Sequence, residues 1–220
     1  LAIMDEFSST ALSADAHLIQ PTPENWQELL DHNTIDMLIV ESAWVGNSGS
    51  WHRKVGWYSE DEISDLEALV DACRQRNIPS VFYNKEDPVH FNRFSKTSVL
   101  FDHVFTTDAD CIPRYEALEG SLIQSVDSIQ FAAQPDVHHP YNTKLKSRKD
   151  VAFAGTYYAG KYPERCEKMD MLFDASVEHG LVIYDRQSGG GNPQYVFPER
   201  FKEYIQGKLE YQNMLKKHRD

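Results

Sequence analysis

Cysteine and positive charge are both scarce in this chain of 220 residues. The three cysteines, Cys73, Cys111 and Cys166, are far apart and odd in number, and no C-x-x-C spacing occurs. This usage argues against a disulfide framework and a zinc site, and it predicts a cytosolic protein. Lysines and arginines number 22 against 34 aspartates and glutamates, a net charge of −12. Such a charge argues against binding to the phosphate backbone of nucleic acids, although a few local donors suffice to hold one nucleotide.

The sequence also lacks the motifs of several enzyme classes. It contains no phosphate-loop lysine motif and no G-x-S-x-G nucleophile elbow, and the glycines of residues 41–51 lack G-x-G-x-x-G spacing. P-loop, hydrolase and dinucleotide-fingerprint interpretations therefore have no support. No apolar run is long enough for a transmembrane helix, and no signal-peptide pattern is present, so we predict no transmembrane segment.

What the sequence does contain is a regular alternation of strands and helices. Apolar residues make up 41% of the chain, enough for a folded core. The predicted strands cover residues 1–4, 36–40, 78–83, 101–106, 128–133, 151–154 and 181–184. The predicted helices cover residues 59–76 (capped by Ser59), 112–118, 163–179, 198–205 and 211–217, and a further helix opens at residues 22–25. This alternation predicts an α/β fold with a mostly parallel, Rossmann-like sheet, whose ligands gather at the carboxyl ends of the strands around a switch in strand order.

Residues 134–150 divide the chain. They contain two prolines, paired histidines and the basic stretch KLKSRK, a composition that suits a linker. We therefore predict a Rossmann-like domain over residues 1–145 and the incomplete start of a second one over residues 146–220. Because the chain begins LAIMDEF, without an initiator Met and already apolar, we interpret it as a fragment of a longer protein. The apolar faces of an unfinished domain favour packing or pairing, as in a homo-oligomer.

The first candidate for chemistry is the segment KEDPVH after the third predicted strand. Glu86 and Asp87 lie close to His90 in sequence, and carboxylates near a histidine can act as a general base or orient an acceptor hydroxyl. Pro88 restricts the backbone of Asp87 to an extended turn. The alternative is a solvated acidic turn that caps a helix.

The second candidate is the segment from Glu41 to Trp51. Its glycines permit close approach to a ligand, and Trp44 and Trp51 are suited to stacking on a sugar ring or a base. Trp57 and Tyr58 continue the aromatic density, which favours a binding surface. The alternative is a long surface loop anchored by two aromatic side chains.

The third candidate opens the second predicted domain. Gly155 and Thr156, at the end of a strand, can present backbone N–H groups to an anion. Lys161 and Arg165 add positive charge, and arginine suits bidentate contact with phosphate. Alternatively, Gly155 only forms a tight turn and Arg165 pairs with a neighbouring glutamate. The pair His138–His139 lacks acidic or cysteine partners at ligand spacing, so we predict no metal site.

Six segments in order along the chain resemble one known family. They are MDEF, TPENW, DMLIVESAWVGNSGSW, KEDPVHFNRF, FDHVFTTD and FAGTYYAGKYPER. Together they resemble the CgeB-like (spore-maturation-type) glycosyltransferases, although residues 9–16 depart from the bulkier segment of that family. The resemblance implies a GT-B architecture of two Rossmann-like domains, with the acceptor on the N-terminal one and the nucleotide-sugar donor on the C-terminal one.

The resemblance also assigns roles to residues of this chain. It places ESAW, KEDPVHF and TTD along the acceptor side, with Asp87 and His90 as candidate bases. Gly155, Thr156, Tyr157 and Arg165 would begin the donor side, with no cofactor and no metal. The family's later donor-gripping helix would follow residue 220, so we expect this chain to fold but not to catalyse by itself.

The predicted function is therefore transfer of a sugar from a nucleotide-sugar to a glycan or another acceptor, in cell-surface glycan synthesis. The main alternative is a non-catalytic Rossmann-like module that binds a glycan or a protein partner. A flavodoxin-like or response-regulator-like domain is disfavoured by the second strand–turn–helix unit. Neither the sugar nor the inverting or retaining outcome follows from the sequence.

Overall fold

The structure is a computed structural model that describes residues 1–58, 63–139 and 151–219. It divides into two compact units, Leu1–Val137 (unit 1) and His138–Asp220 (unit 2). The predicted boundary between residues 145 and 146 lies outside the described residues. The same holds for the basic stretch KLKSRK and for Ser59, the predicted helix cap.

Unit 1 is built on a five-stranded parallel sheet, which confirms the predicted α/β, Rossmann-like fold class. Its strands are β1 (Ala2–Ile3), β2 (Leu38–Glu41), β3 (Ser80–Asn84), β4 (His103–Thr106) and β5 (Ser125–Ser128). They lie in the order β1-β2-β3-β4-β5. Within the described part of unit 1 the order never reverses, so the expected switch in strand order is not found there.

Unit 1 has five described α-helices, four of which pack on one face of this sheet. They are α1 (Glu6–Leu12), α2 (Trp26–His32), α3 (Ser64–Gln75), α4 (Phe91–Ser98) and α5 (Ile112–Glu116). Right-handed crossovers between consecutive parallel strands place each connecting helix on the same side. The core agrees with this rule, because Val40, Phe82 and Val104 of the sheet pack in one cluster with side chains from α2 to α5. Ile39 and Phe105, on the opposite face, are only half-buried.

Two predictions for unit 1 need correction. The strand predicted at residues 128–133 is Ser125–Ser128 instead, and Phe131 is 60% exposed. This strand lies at the edge of the sheet, where the backbone register with β4, rather than an apolar run, determines the pairing. Helices α1 and α4 were not predicted, because their sequences are rich in serine and threonine.

Unit 2 begins with the predicted strand–turn–helix–strand. Its elements are β6 (Val151–Gly155), α6 (Pro163–Ser176), β7 (Leu181–Asp185), α7 (Tyr211–Arg219) and short 3₁₀ turns at Val177–His179, Pro193–Tyr195 and Glu199–Tyr204. Strands β6 and β7 are parallel, and Gly180 ends the helical segment in the left-handed region with a φ of 76°. Phe173, Ile183 and Phe201 form the centre of its core. Across the described residues of both units, no helix is long and apolar enough to span a membrane.

Candidate functional sites

The carboxyl ends of strands β1 to β4 gather polar side chains at one edge of the unit 1 sheet. Asp5 follows β1, Glu41 ends β2, Lys85 and Asp87 follow β3, and Thr106 ends β4. Since the strands are parallel, these positions are brought together as the sequence predicts. The contacts of each side chain decide whether it faces a ligand or the protein.

Glu41 and Lys85 form a buried ion pair. Lys85 Nζ lies 2.8 Å from Glu41 Oε2 and donates to Ser8 Oγ at 3.0 Å. The other carboxylate oxygen, Glu41 Oε1, accepts the backbone N–H of Asp5 at 2.6 Å. With a side chain 1% exposed, Glu41 joins the ends of three strands. Glu41 is thus engaged by protein groups and is not exposed at the surface.

The loop after β2 is packed against the protein by Asp5 and Trp51. Asp5 Oδ1 accepts the N–H of Gly46 at 2.7 Å. Gly46 has a φ of 56°, and a Cβ there would lie 2.8 Å from the Cβ of Trp51, so this glycine serves packing. Trp51 is 0% exposed and donates through Nε1 to the Pro21 carbonyl at 2.8 Å. The indole of Trp51 thus fills the core beneath the loop and is not exposed for stacking.

Asp87 is held by side chains from three elements. Oδ1 accepts a hydrogen bond from Asn84 at 2.8 Å, and Oδ2 accepts from Thr106 and Tyr115, both at 2.7 Å. Burial raises the pKa of Asp87 above its ordinary value, although the hydrogen bonds from Thr106 and Tyr115 oppose that shift. With both oxygens occupied, Asp87 ties the end of β3 to β4 and α5.

His90 and Glu86 lie nearer the solvent. Their side chains are about one-third exposed, and His90 Nε2 is 3.9 Å from Glu86 Oε2. The His90 ring packs edge-on to the indole of Trp44, with 4.9 Å between centroids. The structure thus brings together His90, Glu86 and Trp44, three of the residues predicted for unit 1, and each keeps part of its surface accessible. A substrate hydroxyl could reach a base at this position.

Arg93 completes this accessible group and was not identified from the sequence. Its Cζ lies 4.2 Å from the ring centroid of Tyr58 and 5.8 Å from that of Trp44. We call Trp44, Tyr58, His90 and Arg93 the unit 1 patch. The sequence indicates Trp44, Tyr58 and His90 as candidates, whereas nothing in the spacing of Arg93 indicates its part in this group.

In unit 2, the residues directly after β6 turn inward. A Cβ on Gly155 would lie 2.7 Å from Cζ of Phe153, so the lack of a side chain makes room for that ring. Thr156 is 3% exposed, and its Oγ1 has no hydrogen-bond partner among the described residues. Tyr157 is buried and donates to Asp170 Oδ1 at 2.8 Å. The ring of Tyr157 thus belongs to the core of unit 2 and is not exposed at the surface.

Lys161 and Arg165 remain exposed beside the first turn of α6. Lys161 Nζ lies 5.4 Å from the ring centroid of Tyr162, and Arg165 Cζ lies 5.2 Å from that of Tyr158. Neither cation pairs with a carboxylate in the part of the chain that the structure describes. The alternative pairing of Arg165 with a neighbouring glutamate is thus not observed. Both cations are placed to meet an anion at the amino end of a helix.

A pocket of about 370 Å³ opens at the carboxyl end of β7. Its lining includes Asp185, Gly189, Asn192, Tyr195 and Lys202. The Tyr195 ring lies 5.4 Å from that of Tyr158, so the pocket wall adjoins the turn that carries the two cations. The sequence indicated only a flexible glycine loop at residues 188–192.

Metal ligands do not cluster in the described ranges. Across residues 1–58, 63–139 and 151–219, no group of three His, Cys, Asp or Glu side chains is arranged to hold an ion. His138 Nε2 lies 3.1 Å from the Tyr211 hydroxyl. This histidine therefore packs within unit 2 through a tyrosine.

Fold and geometry define an α/β protein with an accessible polar group at the sheet edge of each unit. Comparison of the chain with protein-family models, with curated protein sequences and with solved structures finds no match. The resemblance to CgeB-like glycosyltransferases therefore rests on the motifs of the sequence.

Proposed function

We propose that this chain belongs to a nucleotide-sugar-dependent glycosyltransferase of GT-B type, cytoplasmic and acting on a glycan or another cell-surface acceptor. Unit 1 would provide the acceptor side and unit 2 the donor side. The observation that carries the proposal is the pair of exposed cations, Lys161 and Arg165, between the end of β6 and the first turn of α6.

The donor side fits the chemistry of a nucleoside diphosphate sugar. Such a donor carries two phosphates, which need positive charge and N–H donors. Arg165 can bind a phosphate with two parallel hydrogen bonds, Lys161 adds a second charge, and α6 adds its amino-terminal N–H groups. The adjoining pocket, about 370 Å³, has a volume typical of small-molecule sites, and Tyr195 offers a ring for stacking.

In the transfer step, the bond between the anomeric carbon and the phosphate oxygen breaks, and the acceptor oxygen bonds to that carbon. The leaving diphosphate takes the bonding electrons, so the cations stabilise the charge that develops. The acceptor hydroxyl loses its proton to a base if the configuration inverts. We assign that role to His90, with Glu86 as its carboxylate neighbour, because the oxygens of Asp87 are occupied by protein donors.

Calorimetric titration of the active form of the protein, whether this chain or a longer protein containing it, with UDP-, GDP- and dTDP-hexoses tests the donor site. We expect one nucleotide to bind and the other two to bind more weakly, because the base is read by a shaped pocket. Binding of a glycan without any nucleotide-sugar would instead favour the non-catalytic module.

Turnover tests the base. In the active form of the protein, whether this chain or a longer protein containing it, we expect His90→Gln to reduce turnover about 100-fold or more. Turnover of His90→Gln equal to that of the unaltered protein would remove His90 from the mechanism.

A further inference from the structure

We propose that the acceptor carries an anionic group, a carboxylate or a phosphate, and that Arg93 in the unit 1 patch binds it. The inference rests on the proposed function in treating the ligand of unit 1 as an acceptor. The binding site itself is argued from the contacts of Arg93.

The first observation is the geometry of the guanidinium group. The planar guanidinium of Arg93 lies over the ring of Tyr58, with its Cζ 4.2 Å from the ring centroid, and the residue is half-buried. The five N–H donors of arginine point outward in that plane. One of the two terminal nitrogens, Nη1, approaches the Trp57 carbonyl at 3.4 Å, a long contact. The edge therefore retains donors for a bidentate acceptor.

The second observation is that Arg93 has no carboxylate partner in the described part of the chain. Acidic residues outnumber basic ones by 34 to 22, and most cations whose contacts are described pair with a carboxylate. Those paired with carboxylates include Lys54, Arg74, Arg76, Lys85, Arg200, Lys202 and Lys208. Arg93 instead packs against aromatic rings. In a protein of charge −12, a local cation is what allows an anionic ligand to approach.

The third observation is the position of Arg93 beside the proposed base. Trp44 contacts both groups, with its ring centroid 5.8 Å from Arg93 Cζ and 4.9 Å from the His90 centroid. The guanidinium of Arg53 also lies over Tyr58, at 4.5 Å, and it has further contacts as well. An anion held by Arg93 would therefore bring the attached sugar to Trp44 and His90.

The test compares acidic sugars with matched neutral ones in titrations of the 220-residue chain. The pairs are digalacturonate with its dimethyl ester, and glucose 6-phosphate with glucose, so that carboxylate and phosphate are distinguished. The variants are Arg93→Gln, which removes the charge, and Arg93→Lys, which keeps the charge but not the planar edge. Lys96→Gln is the control, because Lys96 is an exposed cation on the same helix that lies over Trp57 instead.

We expect at least one acidic sugar to bind about 10-fold more tightly than its neutral partner, a difference of about 1.4 kcal/mol. Arg93→Gln should abolish that preference, Arg93→Lys should retain part of it, and Lys96→Gln should leave it intact. Equal binding of acidic and neutral sugars, or equal losses in Arg93→Gln and Lys96→Gln, would overturn the proposal. If Arg93→Gln does not fold by circular dichroism, the comparison of Arg93→Lys with Lys96→Gln decides.

A nucleotide-sugar titration separates this proposal from the transferase itself. We expect Arg93→Gln to bind the nucleotide-sugar as the unaltered chain does. If its nucleotide-sugar binding falls while acidic sugars do not bind, the anion is the donor diphosphate and the acceptor assignment fails. Acidic-sugar binding that depends on Arg93, without any nucleotide-sugar binding by the active form of the protein, would contradict the transferase and leave the anion site standing.

Discussion

The carboxyl ends of the strands carry polar residues in both units, but the two units use these residues in opposite ways. In unit 1, Glu41, Lys85 and Asp87 are bonded to protein groups and hold strand ends and loops together. In unit 2, Lys161 and Arg165 are exposed and have no carboxylate partner among the described residues. A charged residue after a parallel strand is thus available to a ligand only where the protein leaves its donors or acceptors unused.

The largest difference is expected between two tryptophans of the same loop. Trp51→Ala should reduce the free energy of unfolding by about 4 kcal/mol, because it empties a fully buried site. Trp44→Ala should cost about 1 kcal/mol, since Trp44 is half-buried. Urea unfolding followed by tryptophan fluorescence checks this, because all 4 tryptophans lie in unit 1. Equal losses would contradict the structural role of Trp51.

Breaking the buried ion pair should be the next most damaging change. Lys85→Met leaves the Glu41 carboxylate buried without its cation, at a cost of about 3 kcal/mol. The double variant Glu41→Gln with Lys85→Met should recover part of that loss. In unit 2, Lys161→Met should change stability by less than about 0.5 kcal/mol. If thermal melts followed by circular dichroism show the same effect for Lys85→Met and Lys161→Met, the contrast between the two edges fails.

A smaller loss is expected at Asp87. Asp87→Asn replaces an oxygen that accepts two hydroxyl hydrogen bonds, which should cost about 2 kcal/mol. The side chain of the neighbouring Glu86 is about one-third exposed. Glu86→Gln should therefore change the free energy of unfolding by less than about 0.5 kcal/mol. The same urea titration measures both variants. If Asp87→Asn leaves the free energy of unfolding unchanged, Asp87 becomes a candidate base again.

The smallest expected effect is a dependence on pH. Burial raises the pKa of Asp87 in the folded protein, so the folded state binds this proton more tightly than the unfolded one. Its contribution is full below the unfolded pKa of about 3.9 and declines as pH rises through the folded value. The stability difference between the unaltered chain and Asp87→Asn should therefore shrink as pH rises across that window. A difference that grows would show that the folded protein favours the carboxylate.

The sequence predicted most of the fold because burial imposes a period on apolar residues. Helix α6 and strands β2, β3, β4, β6 and β7 lie within a few residues of their predicted positions. Helix α4 was not predicted, because its buried residues Thr97 and Ser98 are polar and interrupt the apolar period. Thr97 Oγ1 donates to the Val55 carbonyl at 2.7 Å, a contact far away in sequence that no local pattern reveals.

The candidate sites were harder to predict than the fold. Glu41 and Trp51 have the residue types of ligand contacts, and only their partners, Lys85 and Pro21, show that they serve the protein. Arg93 and the pocket beside Tyr195 could not be identified from the sequence, since their surroundings consist of neighbours brought together by the fold. The sequence thus located the carboxyl ends of the strands in both units. It did not distinguish side chains that bond to protein groups from side chains that remain accessible.

The most direct measurement is a matched titration of a nucleotide-sugar against two variants of helix α6. Arg165→Gln removes a cation from the first turn, and Lys168→Gln removes an exposed cation farther along the same helix. We predict that Arg165→Gln weakens binding of the preferred nucleotide-sugar about 10-fold, while Lys168→Gln binds like the unaltered chain. The titration uses the active form of the protein, whether this chain or a longer protein containing it. No binding of any UDP-, GDP- or dTDP-hexose to the unaltered protein, or equal binding by the two variants, would contradict a donor site in unit 2.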